Sequence, residues 1–240
     1  MIPLDPEFVD SCPVENGFRM RGLEMTRLEV FVDAAFAFAV TMLVISFDSM
    51  PTSYNEVILA IKNIPAFVVA VIQLVWIWHT HNIWSRRFGL DSTYTVVLSV
   101  ALLIVVLIYV YPMRLMAGGM FAWFTSDYLP SNFKLITLDE LRDMFIFLSI
   151  GFVCLCIVFV LMYRYAAARK EALRLNELEL HMTTTFQYQW LAGAAVGLIP
   201  IILALALPRE YVPYSGFGFI LLGLVFPLIG IKRAKSVPLE

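Results

Sequence analysis

The residues that could do chemistry lie in and around one apolar segment near the start of the chain. Asp33 interrupts the apolar run at 29–47, and Arg27 lies six positions before Asp33. A carboxylate inside a membrane costs about 2–3 kcal/mol even on the most lenient insertion scale, so Asp33 needs a partner. Six positions correspond to about 240° around a helix, so Asp33 and Arg27 cannot easily pair along one face. Each must find its partner on another helix or another subunit, unless Asp33 only anchors helix packing.

A second pattern follows the same predicted helix on a different face. Successive spacings of four, three, four and three positions place five side chains on one stripe: Ala34, Phe38, Thr41, Ile45 and Asp48. If the stripe faced an axis shared by several subunits, it would form a narrow apolar pore with a hydroxyl ring and an acidic mouth. Rings of this kind can build a cation pathway. If the stripe faced lipid or another helix, it would be ordinary packing surface, which periodicity alone favours.

The end of the second apolar segment carries tryptophans and histidines, namely Trp76, Trp78, His79 and His81. Such residues are typical anchors at a membrane boundary. Two histidines two positions apart do not fit a helical metal site, which would place them three or four apart, so we expect no metal site here. His79 could instead form a hydrogen bond with Asp33 or Arg27, because all three lie toward the same end of their helices.

The elements that must position these residues are membrane helices. Of the 240 residues, 60% are apolar and only 15% are charged, with a mean hydropathy of +0.81. Soluble domains carry about 25% charged residues. Crossing about 30 Å of hydrocarbon takes roughly 20 helical residues. We therefore predict an all-α membrane protein with six spans, at about 29–47, 57–79, 93–116, 143–165, 188–207 and 216–231. Residues 1–28 are predicted to form a cytoplasmic N-terminal segment, and residues 232–240 a cytoplasmic tail.

The basic residues predict the orientation of these spans. Most of the 17 lysines and arginines lie before the first span, after the sixth, or in the connections between spans two and three and spans four and five. The positive-inside rule then places both termini in the cytoplasm, and we expect a multi-pass protein of the inner (plasma) membrane. An aromatic loop at 117–142 falls on the other side. An apolar stripe through 164–186 predicts that the fourth helix continues into the cytoplasm.

Several classes of function are excluded or disfavoured by composition and motifs. A net charge of −2 argues against nucleic-acid binding, and three cysteines exclude a disulfide scaffold. The sequence contains no phosphate-binding loop, nucleophile elbow, zinc-protease motif or CxxC pair, so we expect neither an enzyme nor a cofactor. It also lacks the TVGYG filter of conventional potassium channels and the paired broken helices of many transporters.

The first predicted span resembles the signature of a known family. The residues RLEVFVD at 27–33, followed by AAFAFAVT, resemble the RxxxFSD motif of the TMEM175 family of potassium channels. Trp76 and His79 resemble the W-x-x-H pattern of that family's second helix. The resemblance extends to the six spans, the long loop between spans three and four, and the orientation, so it covers essentially the whole chain.

The resemblance implies a homotetramer whose first helices line a central pore, with a modest preference for potassium over sodium. It places the constriction at Phe38, a hydroxyl ring at Thr41 and a second apolar ring at Ile45, on the stripe that begins at Ala34 and ends at the pore mouth, Asp48. It also implies a network that holds helix one in place, formed by Arg27, Phe31, Asp33, Trp76 and His79. Two positions depart from the family pattern: Val32 replaces the motif serine, and Phe38 stands where isoleucine or leucine is expected.

The resulting hypothesis is a potassium-preferring channel for monovalent cations in the lipid bilayer, without a carbonyl filter. One alternative is a proton-coupled secondary transporter in which Asp33 and His79 relay protons. A proton leak through the same pore is a variant of the channel hypothesis. A further alternative is a non-conducting scaffold, which a plug of Phe38 side chains would suit.

Overall fold

The computed structural model describes residues 3–45, 52–129, 131 and 137–235. Apart from a two-stranded hairpin, this part of the chain folds as a helical bundle, which confirms the predicted all-α architecture. The elements in chain order are α1 (Pro6–Ser11), β1 (Val14–Glu15), β2 (Phe18–Arg19), α2 (Arg27–Ile45), α3 (Tyr54–Lys62), α4 (Ile64–Phe88), α5 (Thr93–Phe124), α6 (Leu138–Ala168), α7 (Glu177–Ala206), a 3-10 helix (Arg209–Leu221) and α8 (Leu222–Ala234).

Five helical segments within the described residues are long and apolar enough to cross a membrane. They run over 54–88, 93–124, 138–168, 177–206 and 209–234. The helix α2, which is described as far as Ile45, is not one of these five. The chain is therefore a multi-pass membrane protein.

The residues before α2 form a small folded unit that docks on the bundle. The strands β1 and β2 pair through a turn in which Asn16 and Gly17 both have positive φ, as a tight hairpin requires. The guanidinium of Arg21 is buried and pairs with the carboxylate of Glu179 at 2.7 Å. It also donates to the carbonyl oxygen of Leu173 at 2.7 Å. The N-terminal segment is thus fastened to the connection between α6 and α7 and to the start of α7.

The same segment lies against the end of α4, where two glycines allow the backbones to approach. Gly22 donates its N–H to the carbonyl oxygen of Arg86 at 2.9 Å. A Cβ at Gly22 would lie 2.7 Å from the carbonyl oxygen of Ser85. Gly89 ends α4 with a φ of +55°, and a Cβ there would lie 2.9 Å from the carbonyl oxygen of Arg21. Both positions therefore require glycine.

The prediction that the fourth membrane helix continues through 164–186 is wrong. The helix α6 ends at Ala168, and α7 begins at Glu177. Between them Arg174 has a φ of 48°, which an α-helix does not contain. Asn176 and Glu179 form a capping box, in which the Asn176 side chain accepts the Glu179 N–H and the Glu179 carboxylate accepts the Asn176 N–H. The N-x-x-E pattern of this box is the signal that starts a new helix.

Several helices have bounds that differ from the predicted spans. The second span is divided into α3 and α4 at Asn63, and α5 continues as far as Phe124, into the predicted loop 117–142. The final stretch begins as a 3-10 helix and becomes α8 only at Leu222, with Pro227 inside it.

The bundle is held together chiefly by α6 and α7 and has two different ends. In the core, the ring of Phe159 on α6 stacks on that of Trp190 on α7, with 4.4 Å between centroids. One end, the basic end, comprises the C-termini of α4 and α8, the connection from α6 to α7, and the N-terminal segment. At the opposite end Arg142 donates to the carbonyl oxygen of Ala204 at 2.9 Å.

Candidate permeation helix and its supports

The helix α2 begins with a reciprocal cap. The hydroxyl of Thr26 accepts the N–H of Glu29 at 3.2 Å, and the Glu29 carboxylate accepts the N–H of Thr26 at 2.6 Å. The other oxygen of the Glu29 carboxylate accepts a hydrogen bond from the hydroxyl of Ser85 on α4. Thr26 and Glu29 are three positions apart, as in other capping boxes, so the sequence carried this signal.

One face of α2 is buried against the bundle. Val32, Phe36, Ala39 and Leu43 are each less than 5% exposed and recur every three or four positions. They pack toward α4 and α5, which are the helices that α2 contacts most. Val32 is fully buried, so it contributes an apolar contact to this face.

The opposite face of α2 is uncovered within one chain. Phe31 and Phe38 are 60% and 58% exposed, and Arg27, Ala34 and Thr41 are exposed as well. These residues share one side of the helix, because the intervals between them alternate between four and three. Ile45 is the last described residue of α2, and its side chain is not described. Asp48, the predicted pore mouth, lies outside the described residues.

The hydroxyl of Thr41 has a defined orientation on this face. It donates its hydrogen to the carbonyl oxygen of Phe38 at 2.7 Å. A hydroxyl has one hydrogen and two lone pairs. Because the hydrogen points back along the helix, the oxygen presents lone pairs outward, and it can accept a hydrogen bond or contact a cation.

Asp33 lies at the edge of the buried face and has a partner on α4. The indole N–H of Trp78 donates to the Asp33 carboxylate, with 2.7 Å between nitrogen and oxygen. The sequence identified Asp33 as a residue that needs a partner, but it did not single out Trp78. The signal that could have found it is its position near the same end of the second membrane helix.

The other residues of the implied network do not meet Asp33 within the described part of the chain. Trp76 turns toward α7, where its ring lies 5.5 Å from that of Trp190. His79 is exposed. Arg27 and Phe31 line an open cleft of about 660 Å³ beside the start of α5. A network that includes these residues would need groups from outside the single chain.

Arg114 supports the far end of α2 and was missed by sequence reasoning. Its guanidinium is buried and donates to the carbonyl oxygen of Leu43, in the last described turn of α2. Because the guanidinium is a charged donor, this bond is stronger than one between neutral groups, and it ties α5 to α2. A charged residue two positions after Pro112 in an otherwise apolar helix was the available signal.

The described residues also bear on metal binding. Among residues 3–45, 52–129, 131 and 137–235, no three His, Cys, Asp or Glu side chains are close enough to hold a metal ion. The side chains around α2 have three roles: Glu29 caps the helix, Asp33 joins it to α4, and Thr41 presents a hydroxyl oxygen.

Comparisons with known proteins give a consistent result. The chain is 31% identical over 234 residues to a protein of Marivirga tractuosa described as a potassium channel, with 92% of this chain and 93% of that protein covered. It is also similar to the crystal structure of a threonine-to-alanine variant of the potassium channel MtTMEM175 in complex with a nanobody–MBP fusion. That match has a TM-score of 0.79 at 28% identity and covers 92% of this chain and 99% of the other. No protein-family model matches the chain.

Proposed function

The chain belongs to the TMEM175 family of potassium channels, and on that premise we propose that it is itself a potassium-preferring cation channel. In this proposal four copies, each with six membrane spans, surround a central pore that α2 lines. Both termini lie in the cytoplasm, and the protein resides in the inner (plasma) membrane. The clustering of basic side chains at one end of the bundle supports this orientation.

The observation that carries the proposal is the division of α2 into a buried and an uncovered face. Val32, Phe36, Ala39 and Leu43 fix the helix on its own bundle, and the stripe of Phe31, Ala34, Phe38 and Thr41 is left for a surface outside the chain. This stripe begins beside the exposed Arg27 and carries the hydroxyl of Thr41, so it is less suited to lipid than an aliphatic stripe. A shared axis accommodates it better.

Phe38 and Thr41 have distinct roles in the proposed pore. A ring of Phe38 side chains forms an apolar neck that ions pass partly dehydrated. Potassium loses its hydration at lower cost than sodium, so a narrow neutral neck prefers potassium without dedicated ligands. The outward lone pairs of Thr41, one helical turn from the neck, replace part of the lost hydration. Ile45 and Asp48 continue the path as a second apolar ring and an acidic mouth.

The proton-coupled transporter has weaker support. It would use Asp33 as a proton carrier, but the group that contacts this carboxylate is an indole N–H, which can only donate. A proton leak through the α2 pore uses the same path as the channel and is distinguished only by measuring proton flux.

The proposal is tested with purified protein in liposomes under a potassium gradient and, separately, a sodium gradient. We expect wild type to conduct potassium faster than sodium, Phe38→Ala to increase both fluxes and reduce the preference, and Thr41→Val to reduce potassium flux. Phe147→Ala is the matched control, because Phe147 is an exposed phenylalanine on α6 and its truncation leaves α2 intact.

Two further measurements separate the alternatives. A pH-sensitive dye inside the same liposomes reports proton flux, and native mass spectrometry gives the number of chains per particle. An absence of potassium flux from both wild type and Phe38→Ala, or a particle with a single chain, would overturn the channel proposal. Saturable flux coupled to protons and lost in Asp33→Asn would favour the transporter.

A further inference from the structure

Three exposed residues link the N-terminal unit (residues 3–22) to the cap that begins α2. On one side of this linker, Gly22 donates its N–H to the carbonyl oxygen of Arg86 at 2.9 Å. On the other side, the carboxylate of Glu29 accepts a hydrogen bond from the hydroxyl of Ser85. Adjacent residues of α4 therefore hold both ends of the linker. Since three residues span at most about 10 Å, a displacement of the N-terminal unit is transmitted to the first turn of α2.

The N-terminal unit holds α2 toward its own subunit. It packs on the end of α4, and the guanidinium of Arg21 pairs with the buried carboxylate of Glu179 on α7 at 2.7 Å. The helix α4 is also one of the two helices against which α2 packs. Arg27 and Phe31 lie on the opposite, uncovered face of α2. In the docked arrangement the first turn of α2 is therefore kept back from the axis of the proposed pore.

Docking also buries the guanidinium of Arg87, at the end of α4, between two aromatic rings. The centroid of Phe18 in the N-terminal unit lies 5.0 Å from it, and that of Phe186 on α7 lies 4.9 Å from it. Arg87 is 7% exposed, and its Nε and Nη1 have no hydrogen-bond partner among the described residues. Burying a charged donor without an acceptor costs free energy, which cation–π contacts offset only in part. Docking is thus favoured by the ion pair of Arg21 and Glu179 and opposed by the burial of Arg87.

We propose that the N-terminal unit is a releasable positioning element for the pore helix. While it is docked, the first turn of α2 stays against α4, and the entrance of the pore at the basic end is wide. When it is released, this turn moves toward the axis in each of the four copies, and the entrance narrows. The inference rests on the proposed channel function. Arg21 and Gly22 act as positioning residues, because both lie outside α2.

Complete and reversible release can be produced through Cys12, which is buried in the N-terminal unit. In a Cys154→Ser background, sulfonatoethyl methanethiosulfonate adds a charged group to the Cys12 thiol when the unit opens, and this group resists burial. We expect protein that is modified before reconstitution into liposomes to lose most of its potassium flux. Dithiothreitol cleaves the mixed disulfide and should restore the flux of the unmodified protein.

The control for this experiment is the double variant Cys12→Ser, Cys154→Ser. A serine at position 12 keeps a donor for the carbonyl oxygen of Phe8, which the Cys12 thiol contacts at 3.3 Å. Treated with the same reagents, the double variant should keep its potassium flux. That result also excludes an effect of modification at Cys156, which both proteins retain.

Two variants test the opposing contributions to docking. Arg87→Met removes the buried charge but keeps an unbranched side chain between Phe18 and Phe186, so the unit should open less often. We expect Cys12 to be modified about tenfold more slowly in this variant. Arg86→Met removes an exposed guanidinium from the adjacent position and should leave the rate unchanged. After equal exposure to the reagent, Arg87→Met should therefore retain more potassium flux than Arg86→Met.

Potassium flux that persists after complete modification of Cys12 would overturn the inference. A loss that dithiothreitol does not reverse would also overturn it, since damage to the fold would then explain the loss. Equal modification rates in Arg87→Met and Arg86→Met would contradict the role of the buried charge. Failure of the channel proposal gives a different result, because wild type and Phe38→Ala would then show no potassium flux before any reagent is added.

Discussion

Trp78 on α4 donates its indole N–H to the carboxylate of Asp33 on α2, across 2.7 Å. A carboxylate within an apolar helix is costly unless it has a partner, and this bond supplies one. Hydrogen bonds to an ionised acceptor are roughly twice as strong as neutral ones. The contact therefore ties the helix proposed to line the pore to its own subunit.

The first prediction concerns this bond. Trp78→Phe keeps the apolar ring but leaves the carboxylate without its donor, so we expect it to cost about 1.5–3 kcal/mol of stability. The expected result is a lower midpoint of thermal unfolding for the detergent-purified protein. Asp33→Asn retains an acceptor and should lose less.

Trp76→Phe is the control, because Trp76 lies on the same helix but its ring faces Trp190. Equal destabilisation by Trp78→Phe and Trp76→Phe would show that the bond to Asp33 adds nothing to the stability of the protein beyond the loss of an indole ring.

The second prediction concerns the bond between Arg114 on α5 and Leu43 on α2. Arg114→Met removes the guanidinium from the carbonyl oxygen of Leu43, and a hydrogen bond from a charged donor contributes about 1.5–3 kcal/mol. Because a tenfold change corresponds to about 1.4 kcal/mol, we expect amide hydrogens in the last turn of α2 to exchange about 10- to 100-fold faster. Hydrogen exchange followed by mass spectrometry measures this rate.

Arg142→Met provides the comparison for that experiment. Arg142 makes a similar contact with the carbonyl oxygen of Ala204, near the end of α7. Its loss should accelerate exchange near Ala204 and leave α2 unchanged. If both variants accelerated exchange in α2, the effect would be a general loosening of the bundle.

The third prediction concerns the buried ion pair of Arg21 and Glu179. Glu179→Ala leaves a buried guanidinium without its anion and removes the acceptor of the Arg19 and Asn176 N–H groups. Breaking a buried pair in this way costs about 3–5 kcal/mol. We expect poor recovery of folded protein and a large fall in unfolding temperature. Glu177→Ala, an exposed change in the same helical turn, should have little effect.

The fourth prediction concerns Gly22 and Gly89, where the N-terminal segment meets α4. Gly89→Ala forces a side chain into the left-handed region, at a cost of about 1–2 kcal/mol, and against the backbone of Arg21. In Gly22→Ala the added Cβ would lie 2.7 Å from the carbonyl oxygen of Ser85. We expect both substitutions to weaken the contact between the N-terminal segment and α4.

The thiol of Cys12 reports this loosening. Cys12 is buried in the N-terminal segment, and burial raises the pKa of its thiol, although nearby Arg21 acts in the opposite direction. Since the thiolate is the reactive form, a raised pKa slows alkylation at neutral pH. In a Cys154→Ser background, a charged maleimide should label Cys12 about tenfold faster after either substitution, as expected for about 1.4 kcal/mol of easier opening.

Gly119→Ala is the control for both glycine variants, because a Cβ there would meet no described atom within 4 Å. Labelling of Cys12 that accelerates equally in Gly119→Ala would contradict the close approach between the segment and α4.

The all-α fold could be predicted because the apolar composition and the length of each apolar segment indicate membrane helices without any knowledge of tertiary contacts. The alternation of faces on α2 could also be predicted, since spacings of three and four determine which side chains share a side. The contacts of Arg114 with Leu43 and of Arg21 with Glu179 could not, because they join residues 71 and 158 positions apart. No local period encodes such a pairing. The end of α6 was missed because the prediction followed the apolar stripe in 164–186 and did not use the N-x-x-E pattern that begins at Asn176.

The distance in sequence between Arg21 and Glu179 also sets an order of events during synthesis. At about 5–20 residues per second, a ribosome needs on the order of 10–30 s to make the 158 positions that separate them. Until α7 has emerged, the guanidinium of Arg21 has no carboxylate with which to pair, and the N-terminal segment has only the end of α4 to pack against. Nascent chains stalled before Glu179 would therefore carry an N-terminus that proteases can digest, and chains stalled well beyond it would carry a protected one.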